Sequence, residues 1–126
     1  MLKALFIDFY GTVVHEDGEV TKQVSQEIYN TGEVSDKSEI GAYWWNEFQK
    51  AFNSAYGDRF ETQRKLEYQS LKKTIEYFKS TANAQELSDL MFAHWIKPPI
   101  LRNQSSFLKC VQYQFTLYLI SIGTIF

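Results

Sequence analysis

The sequence predicts an α/β fold in which a short parallel sheet carries an inserted bundle of four helices. Three observations predict it: an apolar run at residues 5–12 that ends on one acid and a glycine turn, helical periodicity through residues 15–97, and a return to apolar, β-branched character at residues 115–126. A parallel strand is continuously apolar, and open α/β sheets bind ligands beyond the carboxyl ends of such strands.

The first run reads Leu5-Phe6-Ile7-Asp8-Phe9-Tyr10-Gly11-Thr12 and passes through Val13 and Val14 into a polar loop, His15 to Glu19. Residues 1–14 are therefore read as the first core strand with its loop. Residues 15–97 are read as a helical cap. Val20, Val24 and Ile28 repeat at helical spacing, with Gly32 placed to end that helix. A second helix is predicted from Ser35 or Asp36 towards Gly57, with Asp36 and Glu39 as a capping pair. Its inner face is predicted to be Ile40, Trp44, Phe48, Phe52 and Tyr56, joined by Tyr43, Trp45, Ala51 and Ala55. Tyr68, Leu71, Ile75 and Phe78 supply the face of a third helix over residues 62–79. Asn83 with Glu86 starts a fourth, lined by Leu87, Leu90, Met91 and Trp95, until Pro98 and Pro99 forbid continuation. Residues 98–126 are read as the return to the core.

The 126 residues fit one domain, with a net charge of −2 and thirteen scattered basic residues. A phosphate-tracking surface needs clustered positive charge, so no nucleic-acid partner is expected. One cysteine, Cys110, excludes an internal disulfide, and the amino terminus shows no secretory pattern. A cytoplasmic setting is the expectation. The apolar tail is shorter than the roughly 20 residues that span a bilayer as a helix, so no membrane partner is expected and a strand is predicted there.

A carboxylate at a strand terminus is placed to attack an electrophilic carbon or phosphorus and form a covalent intermediate. Asp8 is the candidate nucleophile. Gly11 lets the backbone turn, and the Thr12 hydroxyl orients the acid or binds substrate. Phe9 and Gly11 would lie against a bound small molecule. The plainer reading makes Asp8 and Thr12 ordinary turn residues.

The segment Phe6-Ile7-Asp8-Phe9-Tyr10-Gly11-Thr12 resembles the first motif of the haloacid dehalogenase superfamily, an apolar strand followed by Asp-x-x-Gly-Thr, and the helices after it resemble that family's cap. The resemblance implies a Rossmann-like core, of which this chain carries a fragment, with Asp8 as nucleophile and Thr12 as its positioner. Position 10 separates two chemistries. Phosphatases of the family usually carry a second aspartate there as general acid, and a phenol with a reference pKa of about 10 is a poorer proton donor. Tyr10 is similar to the metal-independent dehalogenase branch, in which a halide leaves without a proton and no cofactor is needed. The early arginine of that branch is missing: none precedes Arg59, and the segment holds Glu33, Asp36 and Glu39 instead. The alternative is a phosphatase binding Mg2+ through Asp8, the Tyr10 carbonyl and a later acid.

Other residues read more simply as structure. His15 is a solvated loop residue, His94 a hydrogen-bonded seam residue, Glu16 and Asp17 turn formers, Cys110 a buried thiol, and Lys72 and Lys73 solvent-facing. Trp44 and Trp45 cannot both point inward on one helix, so one lines an apolar pocket or a homodimer face. A helical interaction module working through that aromatic face is the competing function.

The resemblance also implies a second motif after the cap, a strand ending in Ser-Asn, then a lysine and paired acids; residues 114–126 do not spell it. One allowed coding of those residues, read after skipping its first two bases, gives Ile-Tyr-Ile-Val-Ser-Asn-Ile-Asp-Arg-Asn-Asp-Ile, which does. A frameshift before Gln114 is therefore the expectation, with Ser121 carrying no catalytic role and the chain inactive by itself.

Overall fold

The structure, a computed structural model, describes residues 4–102, 104–112 and 116–120. The first strand, β1 (Ala4–Asp8), leads into α1 (Gly18–Thr31), α2 (Lys37–Ser54), α3 (Gln63–Tyr77) and α4 (Ala84–Ile96), with a single 3-10 turn at Gly57–Arg59; α5 (Gln104–Gln112) and β2 (Thr116–Ile120) follow. The strands pair in parallel, from Ala4 opposite Thr116 to Asp8 opposite Ile120. Residues 116–120 of the apolar tail thus lie beside the first strand.

Three of the four bundle helices start where a side chain accepts an orphan backbone N–H, while Asp17 before α1 makes no such bond. Asp36 accepts from Ser38 N, Thr62 from Lys65 N, and Asn83 from Gln85 N and Glu86 N. The four helices close around one core of Val20, Val24, Ile28, Ile40, Trp44, Leu71, Ile75, Phe78, Leu87 and Met91. Glu47, nearly buried on α2, ties that helix to α3 by accepting from Lys50 Nζ at 2.7 Å and Lys73 Nζ at 3.4 Å. Lys73, expected merely to face solvent, therefore bridges two helices.

Gly32 ends α1, though not through a left-handed turn. Its φ is −119° and its ψ 177°. The reason is space: a Cβ there would lie 2.8 Å from the Ile28 carbonyl oxygen and 2.9 Å from that of Phe78. The end of α1 is pressed onto the end of α3, where Glu33 N donates to Phe78 O at 2.8 Å and Thr81 N to Thr31 O at 3.2 Å. Gly32→Ala is expected to destabilise the fold by about 1–3 kcal/mol through overpacking. Gly41→Ala is the contrasting case, since a methyl group there meets nothing within 4 Å. It should stabilise α2 by up to about 1 kcal/mol. Urea midpoints of the two variants check the pair, and equal shifts would refute the steric account.

Three sequence expectations need correction. The predicted aromatic stripe does not stay on the inner face of α2: Trp45 and Phe52 are 60% and 51% exposed and Tyr56 lies beyond the end of the helix, while Ile40, Trp44 and Glu47 turn inward. Residues four apart advance about 400° around a helix, so such a stripe winds away from any fixed neighbour. Among the described residues β1 pairs with β2 alone, as the reading of the two ends predicts, but the continuous apolar run that implied a strand covered on both faces is not so covered: Phe6 is 63% exposed and stacks on Tyr118 at 5.0 Å. Finally, α5 intervenes between cap and tail. At nine residues it is short, and Phe107 is 46% exposed, so the sequence reads this stretch as part of the return to the core.

Candidate active site

Asp8 is the last residue of β1 and is solvent-exposed, where an acid can meet an incoming molecule. Thr12 Oγ1 donates to Asp8 Oδ2 at 2.9 Å. The chain reverses between them: Val13 N and Val14 N both donate to Phe9 O, at 2.8 and 3.1 Å, and Gly11 N donates to Val14 O at 2.9 Å. Gly11 takes φ +74°, which disfavours any side chain, and a Cβ there would sit 2.8 Å from Glu16 Oε1. Val13 and Val14, both buried, anchor the loop from below.

The remaining candidates divide between the site and its supports. The Tyr10 hydroxyl donates to the Trp95 carbonyl at 3.0 Å and so links the loop to α4. Phe9, half-buried, meets the Tyr10 ring edge-on at 5.1 Å. Glu16 packs against Gly11; Asp17 precedes α1 and accepts from Trp95 Nε1 at 3.4 Å. Neither is shown paired with Asp8. His15 is exposed, with its backbone N–H on Pro99 O at 2.8 Å. His94 is half-buried, but Nε2 lacks the hydrogen-bond partner expected of it. The Cys110 side chain and Ser121 lie outside the described residues.

The cap is held over the loop by two neighbouring chain crossings. Leu101 N donates to Val13 O at 3.0 Å, and Val14 forms an antiparallel bridge with Ile100. With the His15–Pro99 bond, the outgoing and returning strands form a short strap.

Between the cap helices, open to solvent beside Trp45, lies a feature that sequence reasoning only partly found, a cavity of about 590 Å3. Trp44 and Trp45 both line it, with Phe48, Met91 and Trp95; Asp8 does not. Glu67 and Gln63 of α3 also line it. Glu67 is 3% exposed; one carboxylate oxygen accepts from Ser88 Oγ at 2.7 Å and the other has no partner. Burial pushes its carboxyl up to about 7, against smaller opposing effects of the Ser88 hydrogen bond and the Arg64 charge. The signal available in the sequence was phase, since Glu67 stands four residues before Leu71 on the inward face of a helix.

By direct comparison the chain shares the α/β fold with inserted helical cap of solved haloacid dehalogenases, over about half of their length. It is similar to the L-2-haloacid dehalogenase from Xanthobacter autotrophicus, with a TM-score of 0.63 and 17% identity over 98% of this chain and 48% of that one. The L-2-haloacid dehalogenase PA0810 gives a TM-score of 0.64 and 18% identity, covering 98% and 53%. A HAD-hydrolase, YfnB from Bacillus subtilis, solved with magnesium bound, gives 0.59 and 11%, covering 95% and 52%. The chain spans about half the length of these solved structures. No protein-family model and no curated protein sequence matches it. No helix among the described residues is long and apolar enough to cross a membrane.

Proposed function

We propose that this chain carries the nucleophile and cap of a hydrolase that acts on a small molecule, with Asp8 attacking carbon in the dehalogenase manner. An Asp8 oxygen forms the new C–O bond, the carbon–halogen bond breaks, and the halide departs with the bonding electrons. Water then cleaves the ester and regenerates Asp8. The observation that carries this reading is the Thr12 hydroxyl on Asp8 Oδ2 at the end of the strand, which leaves Oδ1 for attack. A halide needs no proton, and the Tyr10 hydroxyl is already donated to the cap. The solved structures that share this fold include proteins described as L-2-haloacid dehalogenases.

For the magnesium-dependent phosphatase, Asp8 would be a metal ligand. The other ligands would be the Tyr10 carbonyl and an acid after the cap; among the described residues no group of three or more His, Cys, Asp or Glu could hold a metal ion. The lysine and acids that the family resemblance places after the cap belong, in this reading, to a continuation of the coding frame, and a cytoplasmic setting accords with the single cysteine. A second reading, a module that self-associates through its aromatic face, draws on the ladder of Trp45, half-buried Phe48 and Phe52, stacked at 5.9 Å per step with both end rings exposed.

Sequencing the coding DNA through the codons for residues 110–126 and beyond tests the first reading. The expected result is a shifted open frame encoding a lysine and paired acids. A chain expressed in that frame should release halide from 2-chloropropionate, and Asp8→Asn should reduce the rate by about 1,000-fold or more. The 126-residue chain should show no release above background. Turnover indifferent to Asp8→Asn would refute the nucleophile.

A further inference from the structure

The cap cavity raises a question of its own, because two buried side-chain oxygens on its wall, Glu67 Oε1 and Gln63 Oε1, have no hydrogen-bond partner. They stand one helical turn apart on α3 and are both acceptors. Buried polar atoms are nearly always satisfied, and an exception in the wall of a cavity marks a group that a ligand can satisfy. The cavity is of ligand size, and its walls combine the apolar side chains Trp44, Trp45, Phe48, Met91 and Trp95 with polar groups that include Asp17, Lys22 and Lys37.

We propose that this cavity is a binding site for a small organic cation, its ammonium group donating to Glu67 and Gln63 and its apolar body packed among Trp44, Trp45, Phe48 and Trp95. An anionic ligand would set acceptor against acceptor, and a hydrocarbon would leave both oxygens bare. Indole faces favour a cation over any other charge. The two lysines on the wall do not make an anion site: Lys22 Nζ is held by Glu19 at 2.8 Å and Lys37 Nζ by the Gln26 side chain at 2.8 Å. Arg64, beside Glu67 on α3, is engaged with Asp89 at 3.1 Å and lies over the Phe92 ring. The site stands on the cap alone and does not depend on Asp8.

Around Glu67 the charged groups are Arg64 on its own helix and Asp89 on α4, with Asp17, Lys22 and Lys37 elsewhere on the wall. A cation binds best once Glu67 is ionised, so affinity should rise with pH. The probe is 2-phenylethylammonium, followed by the tryptophan fluorescence of the 126-residue chain. Its affinity is expected to increase about tenfold between pH 5.5 and 7.5. Glu67→Gln should lose about tenfold at pH 7.5 and abolish the pH dependence. Trp45→Ala, at a largely exposed position that leaves the fold intact, should weaken binding about threefold. This second variant and the pH titration of the parent chain decide the matter if Glu67→Gln does not fold. The proposal is overturned if 3-phenylpropionate binds as tightly at pH 7.5, if neither variant weakens the ammonium probe, or if no saturable binding occurs. It is also overturned if sedimentation shows a second copy of the chain covering Trp45 and excluding the probe.

Discussion

Leu71→Ala is expected to destabilise the chain by about 2–5 kcal/mol, seen as a large fall in the urea midpoint. Leu71 is fully buried and belongs to the one core that all four cap helices share. Removing its branched end leaves a void that the close-packed neighbours fill only in part. Against a total stability of about 5–15 kcal/mol typical of a domain, that loss brings the protein near its unfolding threshold. Leu90→Ala, on the same bundle but 40% exposed, should cost far less. Comparable losses at the two positions would mean that the helices do not share a single core. Two paired strands are marginal alone, so the bundle carries most of the stability.

The second large effect is a dependence on pH centred on Glu67. Its carboxyl is raised by burial from 4.5 to about 7 in the folded chain, so between those values the folded state binds more protons than the unfolded one. Stability must then fall as pH rises through that window and level off above it, by about 3 kcal/mol in total. Two other acids act in the opposite sense: Asp36, held low by the Ser38 backbone N–H, and Glu47, held low by Lys50, favour the fold above their unfolded values and lose that contribution in acid. The difference between Glu67→Gln and the parent isolates the buried group. It should favour the variant at pH 8 and shrink towards pH 4.5, as read from chemical denaturation at each pH. A difference that stays constant with pH would show that Glu67 remains ionised throughout.

Much of this architecture is legible in local chemistry. Asp36, Thr62 and Asn83 announce helix starts because a short polar side chain is the cheapest acceptor for an unpaired N–H, and each caps as its type predicts. Val20, Val24 and Ile28 reach the core because that run is short enough for helical drift to be small. The longer aromatic stripe of α2 exceeds that limit, so Ile40 is buried while Phe52 is not. Gly32 was recognised as a stop, but its cause, the carbonyl of Phe78 against its α-carbon, depends on a residue far along the chain. The acid and its hydroxyl neighbour were legible because Asp8 and Thr12 are local to one loop. The Tyr10 bond to Trp95 and the Glu67 cavity were not, since both depend on helices brought together only by folding.

The strap between residues 13–15 and 99–101 has a topological meaning. Because the chain leaves and re-enters the sheet side by side, with His15 N and Pro99 O one hydrogen bond apart, everything between them is a detachable circuit. A short peptide joining those points would close that circuit on itself. Grafted between any two adjoining β-ends of like spacing, the same helices would keep their interior, and exchange of lids between sheets becomes a matter of a single pair of splice points.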